Sequence, residues 1–308
     1  MRSFGLNFSG LGSKAAAQTG SVRQRAEESA ARLPPLLIAA ERIAATVAQG
    51  VHGRRRVGQG ETFWQFRRYQ PGDPVQRIDW RQSAKREHFY IRENEWEAAQ
   101  SVWIWIDQSA SMYYQSDSAL PEKADRAALL LLALSSLLIR GGERVTLLGS
   151  GVPPSNGRAV MERLAASISL RKENPPSTPP LEPLPRYSRV VMISDFLTPP
   201  AEIAQTLRGF AALGVRGHLL QLFDPAEQSL PFAGRVRFEG LEGEGAALIG
   251  RVEAVKAEYV ELMEKHRRAI ENVSSRLGWT CVGHCTDQPP QSALLALYQA
   301  LAETPEAK

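Results

Sequence analysis

From Ser101 onward the chain alternates between two kinds of segment, and few folds accommodate that rhythm. Short runs rich in Val, Ile, Leu and Trp occur at Ser101–Ile106, Arg144–Leu148, Arg189–Ile193, Val215–Phe223 and Trp279–Gly283. Longer stretches with helical patterning follow them, at Glu122–Ile139, Arg158–Leu170, Ala201–Leu213, Arg251–Leu277 and Ser292–Leu301. Runs as apolar as Arg-Val-Val-Met-Ile suit strands covered on both faces, the condition of a parallel sheet between helical layers. The expected fold class is therefore α/β, a doubly wound, mostly parallel sheet.

The first third of the chain reads differently. Residues 1–33 are rich in Ala, Gly, Ser and Gln and read as a mobile arm, stopped by Pro34-Pro35. Leu36–Ala48 reads as a helix ended by Gly50. Aromatic and arginine residues then alternate through 52–98, around the turn Gln70-Pro71-Gly72-Asp73-Pro74. Phe63–Phe66 and Phe89–Ile91 read as short strands beside that turn. The division expected is an arm over 1–33, a helix plus a small strand-rich unit over 34–98, and an α/β domain over 99–303. Phe63, Trp64, Phe66 and Trp80 are expected to dock the small unit on the sheet domain through apolar surface. A second break is the stretch 173–188, with six prolines in sixteen residues.

Charge is unevenly spread. The net charge is +4 over 308 residues, yet Arg54 to Arg92 alone holds ten Lys or Arg against four Asp or Glu, a local +6 that leaves about −2 elsewhere. A chain this long can bury a full core without staples, and its two cysteines, Cys281 and Cys285, make no disulfide framework. The longest apolar run, Ala127–Ile139, has thirteen residues, too few to span a bilayer, and residues 1–33 carry charges throughout with no signal-peptide core. The expectation is a soluble, cytoplasmic protein.

Chemistry concentrates where the first apolar run ends, at Ile106-Asp107-Gln108-Ser109-Ala110-Ser111-Met112. An open parallel sheet binds ligands at the carboxyl ends of its strands, near the point where strand order reverses. Asp-x-Ser-x-Ser can turn one carboxylate and two hydroxyls toward one point, an oxygen set suited to a hard divalent cation. A second run ends at Ile193-Ser194-Asp195, so neighbouring strands would bring Asp107 and Asp195 to one cavity. The simpler alternative is that Asp107 and Ser109 only cap the following helix.

The motif resembles the metal-ion-dependent adhesion site of von Willebrand factor A domains. Asp107, Ser109, Ser111 and Asp195 match that pattern in type and order, and Thr178 falls where its loop threonine belongs. The resemblance implies a bound Mg²⁺ or Mn²⁺ completed by a partner's carboxylate. Upstream, Gly58-Gln59-Gly60-Glu61-Thr62-Phe63, Tyr69-Gln70-Pro71-Gly72-Asp73, Arg77-Ile78-Asp79-Trp80 and Ala84-Lys85 are similar to the bacterial domain-of-unknown-function family 58 over roughly residues 35–300. Pro74 and Lys85 depart from its usual Asp and Arg. That resemblance implies a von Willebrand factor A-like domain and a MoxR-type AAA+ ATPase, or its client, as partner. A non-enzymatic adaptor is the function expected, with Arg67, Asp73, Arg77, Asp79 and Trp80 as its interaction surface. The same side chains also read as a structural ion-pair network, or as a nucleic-acid contact.

Other chemistries find less support. Cys281-Val282-Gly283-His284-Cys285 lacks the second cluster a structural zinc needs. No Walker motif, Gly-rich dinucleotide loop or His-Glu-x-x-His is present. Aspartate-nucleophile phosphotransferases need a second Asp where Ser109 stands. A metal-dependent hydrolase or phosphotransferase using the same oxygens remains the enzymatic alternative.

Overall fold

A computed structural model gives the architecture, describing residues 35–49, 63–69, 78–85, 88–94, 100–170, 175–243 and 245–302. Five parallel strands form one sheet: β3 (Ser101–Ile106), β4 (Arg144–Leu147), β5 (Arg189–Ser194), β6 (Arg216–Phe223) and β9 (Thr280–Cys285). Their spatial order is β4-β3-β5-β6-β9. The chain thus builds outward from β3 first to one side and then to the other, and the reversal lies between β3 and β5. Helices α3 (Lys123–Arg140), α4 (Arg158–Ser169), α5 (Pro200–Ala212), α7 (Val252–Arg276) and α8 (Pro290–Ala302) connect and cover the strands. The α/β fold expected from the apolar rhythm is the fold observed, with element ends displaced by one or two residues.

Period-two geometry explains why the strands are apolar throughout. Val102 and Ile104 of β3 join Val191 and Ile193 of β5 and Leu220 and Leu222 of β6 in one core. Trp103 and Trp105 join Val190, Met192 and Leu219 in a second core on the opposite face, against Ile203, Leu207 and Phe210 of α5 and Ile270 of α7. Each face needs its own apolar set, so alternation disappears from the sequence. Helix α3 is apolar nearly all round because it lies inside the first core, with Leu130, Leu131, Leu132 and Leu134 fully buried.

Helix α1 (35–49) belongs to that first core. Ala40, Ile43, Ala44 and Val47 are buried in it. Glu41 accepts a 2.8 Å bond from the Ser136 hydroxyl and pairs with Arg140, both on α3.

Strands β1 (Phe63–Arg68) and β2 (Tyr90–Asn94) form an antiparallel pair, with Arg67 opposite Ile91 and a register shift between Phe63 and Gln65. The helical turn α2 (Trp80–Ser83) is pinned to β2. The Asp79 N–H donates to the Tyr90 carbonyl at 2.8 Å, and the Tyr90 N–H donates to the Ser83 hydroxyl at 2.9 Å. One expectation fails here. Trp80 is 60% exposed and meets Phe89, also exposed, edge to face at 5.9 Å. Its ring stacks within the small unit and is not a docking anchor. The side chains of Phe63, Trp64 and Phe66 lie outside the described residues, as does the arm over 1–33.

Besides the turn α2, a helix and a hairpin after β6 were not expected. The short helix α6 (Pro225–Ser229) follows β6 directly, and a hairpin of β7 (Val236–Glu239) and β8 (Ala246–Ile249) precedes α7. The hairpin is mostly exposed, so it carries no core pattern for the sequence to display. No helix among the described residues is long and apolar enough to cross a membrane.

Candidate functional site

The site lies at the carboxyl ends of β3 and β5, where strand order reverses. The strands are direct neighbours, with Ile106 opposite Ile193, and the Asp107 N–H donates to the Ile193 carbonyl at 2.9 Å. The neighbouring strands bring Asp107 and Asp195 to the same end of the sheet, and both are almost fully buried; Asp195 does not line the cavity beside Asp107.

Asp107 is held through both oxygens. Its Oδ1 accepts from the Ser109 N–H at 2.8 Å, and its Oδ2 accepts from the Ser194 hydroxyl at 2.6 Å. Ser194 in turn accepts the Phe196 N–H at 2.8 Å, locking the end of β5 to the end of β3. Burial pushes the Asp107 carboxyl up to about 6; the bonds from Ser194 and Ser109 oppose this, and nearby Asp195 adds to it. Asp107 also forms part of the wall of a cavity of about 390 Å³, with Leu36 and Ala39 of α1, Leu129 of α3 and Ile168 of α4.

Ser109 does not act as a helix cap through its side chain. It precedes a single 3-10 turn, Ala110–Met112, and makes no capping bond. Its hydroxyl instead stands 3.2 Å from that of Ser111. Neighbouring ligands of an octahedral Mg²⁺, each about 2.1 Å from the ion, lie about 3.0 Å apart. The two hydroxyls already have that spacing, and Asp107 retains lone pairs beside them. Asp107, Ser109 and Ser111 therefore fit a hard cation chemically, with waters completing the shell. Among the described residues no group of three or more His, Cys, Asp or Glu side chains gathers to hold a metal, so an ion here would rely on hydroxyls.

Asp195 is differently engaged. Its Oδ2 accepts from the Lys123 ammonium at 2.9 Å and its Oδ1 from the Leu197 N–H at 3.2 Å. Phe196 adopts a left-handed φ of 52° and its carbonyl bonds His266 Nε2 at 2.6 Å, while Gln221 Nε2 donates to the Asp195 carbonyl at 3.0 Å. A non-glycine residue in that region is held there by its surroundings. The turn places Asp195 toward α3. Thr178 is half-buried in the proline-rich linker, and among the described residues its hydroxyl makes no bond to Asp107, Ser109 or Ser111. The adjacent Ser177 does approach the Asp195 loop, accepting from the Thr198 hydroxyl at 3.1 Å.

Several participants escaped the sequence reading. Lys123, fully buried, also pairs with Glu227 of α6. Burial alone would push its ammonium down, but Asp195 and Glu227 outweigh that and hold it above the ordinary lysine range. A lysine in the first turn of a helix opposes the helix dipole, and this was the available signal. Glu227 belongs to a capping box. Its Oε2 accepts the Asp224 N–H at 2.8 Å and Asp224 Oδ1 accepts the Ala226 N–H at 2.8 Å, so Asp-Pro-x-Glu was legible as a helix start. Asp224 Oδ2 accepts the Ser116 N–H at 2.9 Å, tying α6 to the loop after Ser111. Glu242, from the loop joining β7 and β8, reaches the same loop: the Ser111 N–H approaches its Oε1 at 3.4 Å. No sequence signal marked Glu242.

The expected interaction surface is only partly described. Asp73, Arg77 and the side chain of Arg67 lie outside the described residues. Asp79 is half-buried, its carbonyl accepting from the Ser83 hydroxyl at 2.7 Å, and Trp80 stands exposed beside it. Cys281 and Cys285 are free thiols on β9, and His284 between them bonds Arg126 of α3 at 2.9 Å.

Comparison with known proteins places this geometry in a family. The family model described as protein of unknown function DUF58 matches residues 65–269. Uncharacterized proteins of Mycobacterium bovis and Mycobacterium tuberculosis are 26% identical over 259 residues, covering 79% of this chain and 80% of theirs. Among solved structures, an aerotolerance-related membrane protein from Bacteroides fragilis aligns with a TM-score of 0.42 and 17% identity, over 66% of this chain and 99% of that one. The conserved hypothetical protein BatB from Bacteroides thetaiotaomicron gives 0.40 and 17%, over 66% and 98%.

Proposed function

The chain belongs to the DUF58 family, and from its site we propose that it is a non-enzymatic protein-binding module built around a divalent cation. Asp107, Ser109 and Ser111 hold Mg²⁺ or Mn²⁺ at the strand ends, with Asp195 and Thr178 as the further ligands proposed. The ion leaves a coordination position open, and an acidic side chain of a partner fills it, since a hard cation prefers anionic oxygen. The observation that carries this reading is the 3.2 Å approach of the Ser109 and Ser111 hydroxyls beside Asp107 at the reversal of strand order. It supports the likeness to the von Willebrand factor A adhesion site.

The partner proposed is a MoxR-type AAA+ ATPase or its protein client. The exposed Trp80 and the arginine-rich segment around it form a second contact, drawing in an acidic surface. A hydrolytic reading would need a general base at the site. Lys123, the lysine among the described residues that reaches Asp195, is committed to two carboxylates. The test is affinity capture of a MoxR-type ATPase by wild type and Asp107→Ala, with and without chelator. Binding lost with chelator and with the variant supports the module; equal capture in all arms overturns it.

A further inference from the structure

Lys123 is unusual in where it spends its charge. Its side chain is fully buried, and its ammonium lies against Asp195 Oδ2 at 2.9 Å and against Glu227 Oε1. Asp107 follows β3 and Asp224 follows β6, and each accepts backbone N–H bonds, Asp107 from Ser109 and Asp224 from Ser116 and Ala226. The next basic residue along α3, Arg126, borders the cavity beside Asp107 but gives its guanidinium to the carbonyls of Thr286 and Gln288 and to His284. Lys123 is thus the cation among the described residues that neutralises the Asp195 side of the site.

We infer that Lys123 is the built-in counter-ion that sets how tightly the site holds a divalent cation. This rests on the reading of Asp107, Ser109 and Ser111 as the cation's ligands. A fixed positive charge bonded to Asp195 repels an incoming divalent ion and withholds one carboxylate oxygen from it, and in a buried setting such effects are weakly screened. The site is consequently a weak, readily exchanging one. Glu227 adjusts the same balance from the other side. By sharing the ammonium it draws positive charge toward α6, and α6 is tied through Asp224 to the loop carrying Ser116. Affinity for the ion is therefore coupled to the placement of α6.

The experiment is a titration of the full chain with Mn²⁺ alone, read by the paramagnetic signal of free Mn²⁺, for wild type, Asp107→Ala, Lys123→Arg, Lys123→Met and Glu227→Gln. Circular dichroism checks the fold of each. Lys123→Met should bind at least about tenfold more tightly than wild type, and Lys123→Arg should stay within about threefold of it. Glu227→Gln should bind several-fold more weakly, which gives a reading of opposite sign if Lys123→Met fails to fold. Equal or weaker binding by Lys123→Met, or unchanged binding by Glu227→Gln, overturns the inference while leaving the site intact, provided Asp107→Ala abolishes binding. Binding by Lys123→Met where wild type shows none supports it. No binding by any of the proteins overturns both the inference and the site.

Discussion

Gly217 and His218 sit side by side on β6 and respond to opposite perturbations. The Trp279 indole lies over Gly217, and a Cβ built there would fall inside the ring. Gly217→Ala must displace a buried tryptophan in the second core, so it should cost about 3 kcal/mol, measured as a lower denaturant midpoint at unchanged slope. His218 is buried, with Nδ1 bonded to the Thr280 hydroxyl at 2.8 Å. Burial, helped by Arg189 on β5 and Arg216 on β6, depresses its pKa to about 4. The unfolded chain therefore takes up the proton first. Stability should fall as pH drops from about 6.5 toward about 4, by up to roughly 3 kcal/mol for this residue, and level off below. His218→Asn keeps a donor for Thr280 and should flatten that part of the profile in urea unfolding. An unchanged slope would show that other groups dominate.

Elements differ in how plainly they were written in the sequence. The five strands and five helices after Ser101 were legible because each must fill one or both of two cores. Asp107 and Asp195 were legible for a related reason: a polar residue ending an apolar strand marks the carboxyl edge of the sheet. The hairpin of β7 and β8 was not, since its exposed faces impose no pattern. Lys123 was marked only by its unfavourable place in the first turn of a helix, a signal as easily read as surface. Helix α1 was legible as a helix but not as part of the α/β core, because its apolar stripe names no partner. Ile43→Ala should therefore destabilise the α/β domain itself, by about 2 kcal/mol or more, in a single cooperative transition. A separate low-temperature transition for α1 would contradict that placement.

At the scale of the whole molecule, charge and coordination make separable contributions to association. The segment from Arg54 to Arg92 carries +6, while the proposed cation site lies at the ends of β3 and β5 in the α/β domain. Charge reversal at Arg54, Arg55 and Arg56, which lie outside the described residues, should slow association with a MoxR-type ATPase several-fold at low salt. The difference should shrink as ionic strength rises, with little change in dissociation. Stopped-flow kinetics across a salt series reads this directly. A salt-independent loss would mean that these arginines make close contacts and do not act by steering.

The central claim is that the strand-end oxygens bind a divalent cation, and calorimetry with Mg²⁺ and Mn²⁺ on wild type and Asp107→Ala tests it most directly. Asp107→Ala removes a carboxylate whose burial is itself unfavourable, so the variant should fold and melt cooperatively. The account predicts one-to-one binding of either ion by wild type and none by Asp107→Ala. Equal heats for both proteins, or no binding by well-folded wild type and Lys123→Met alike, would contradict it.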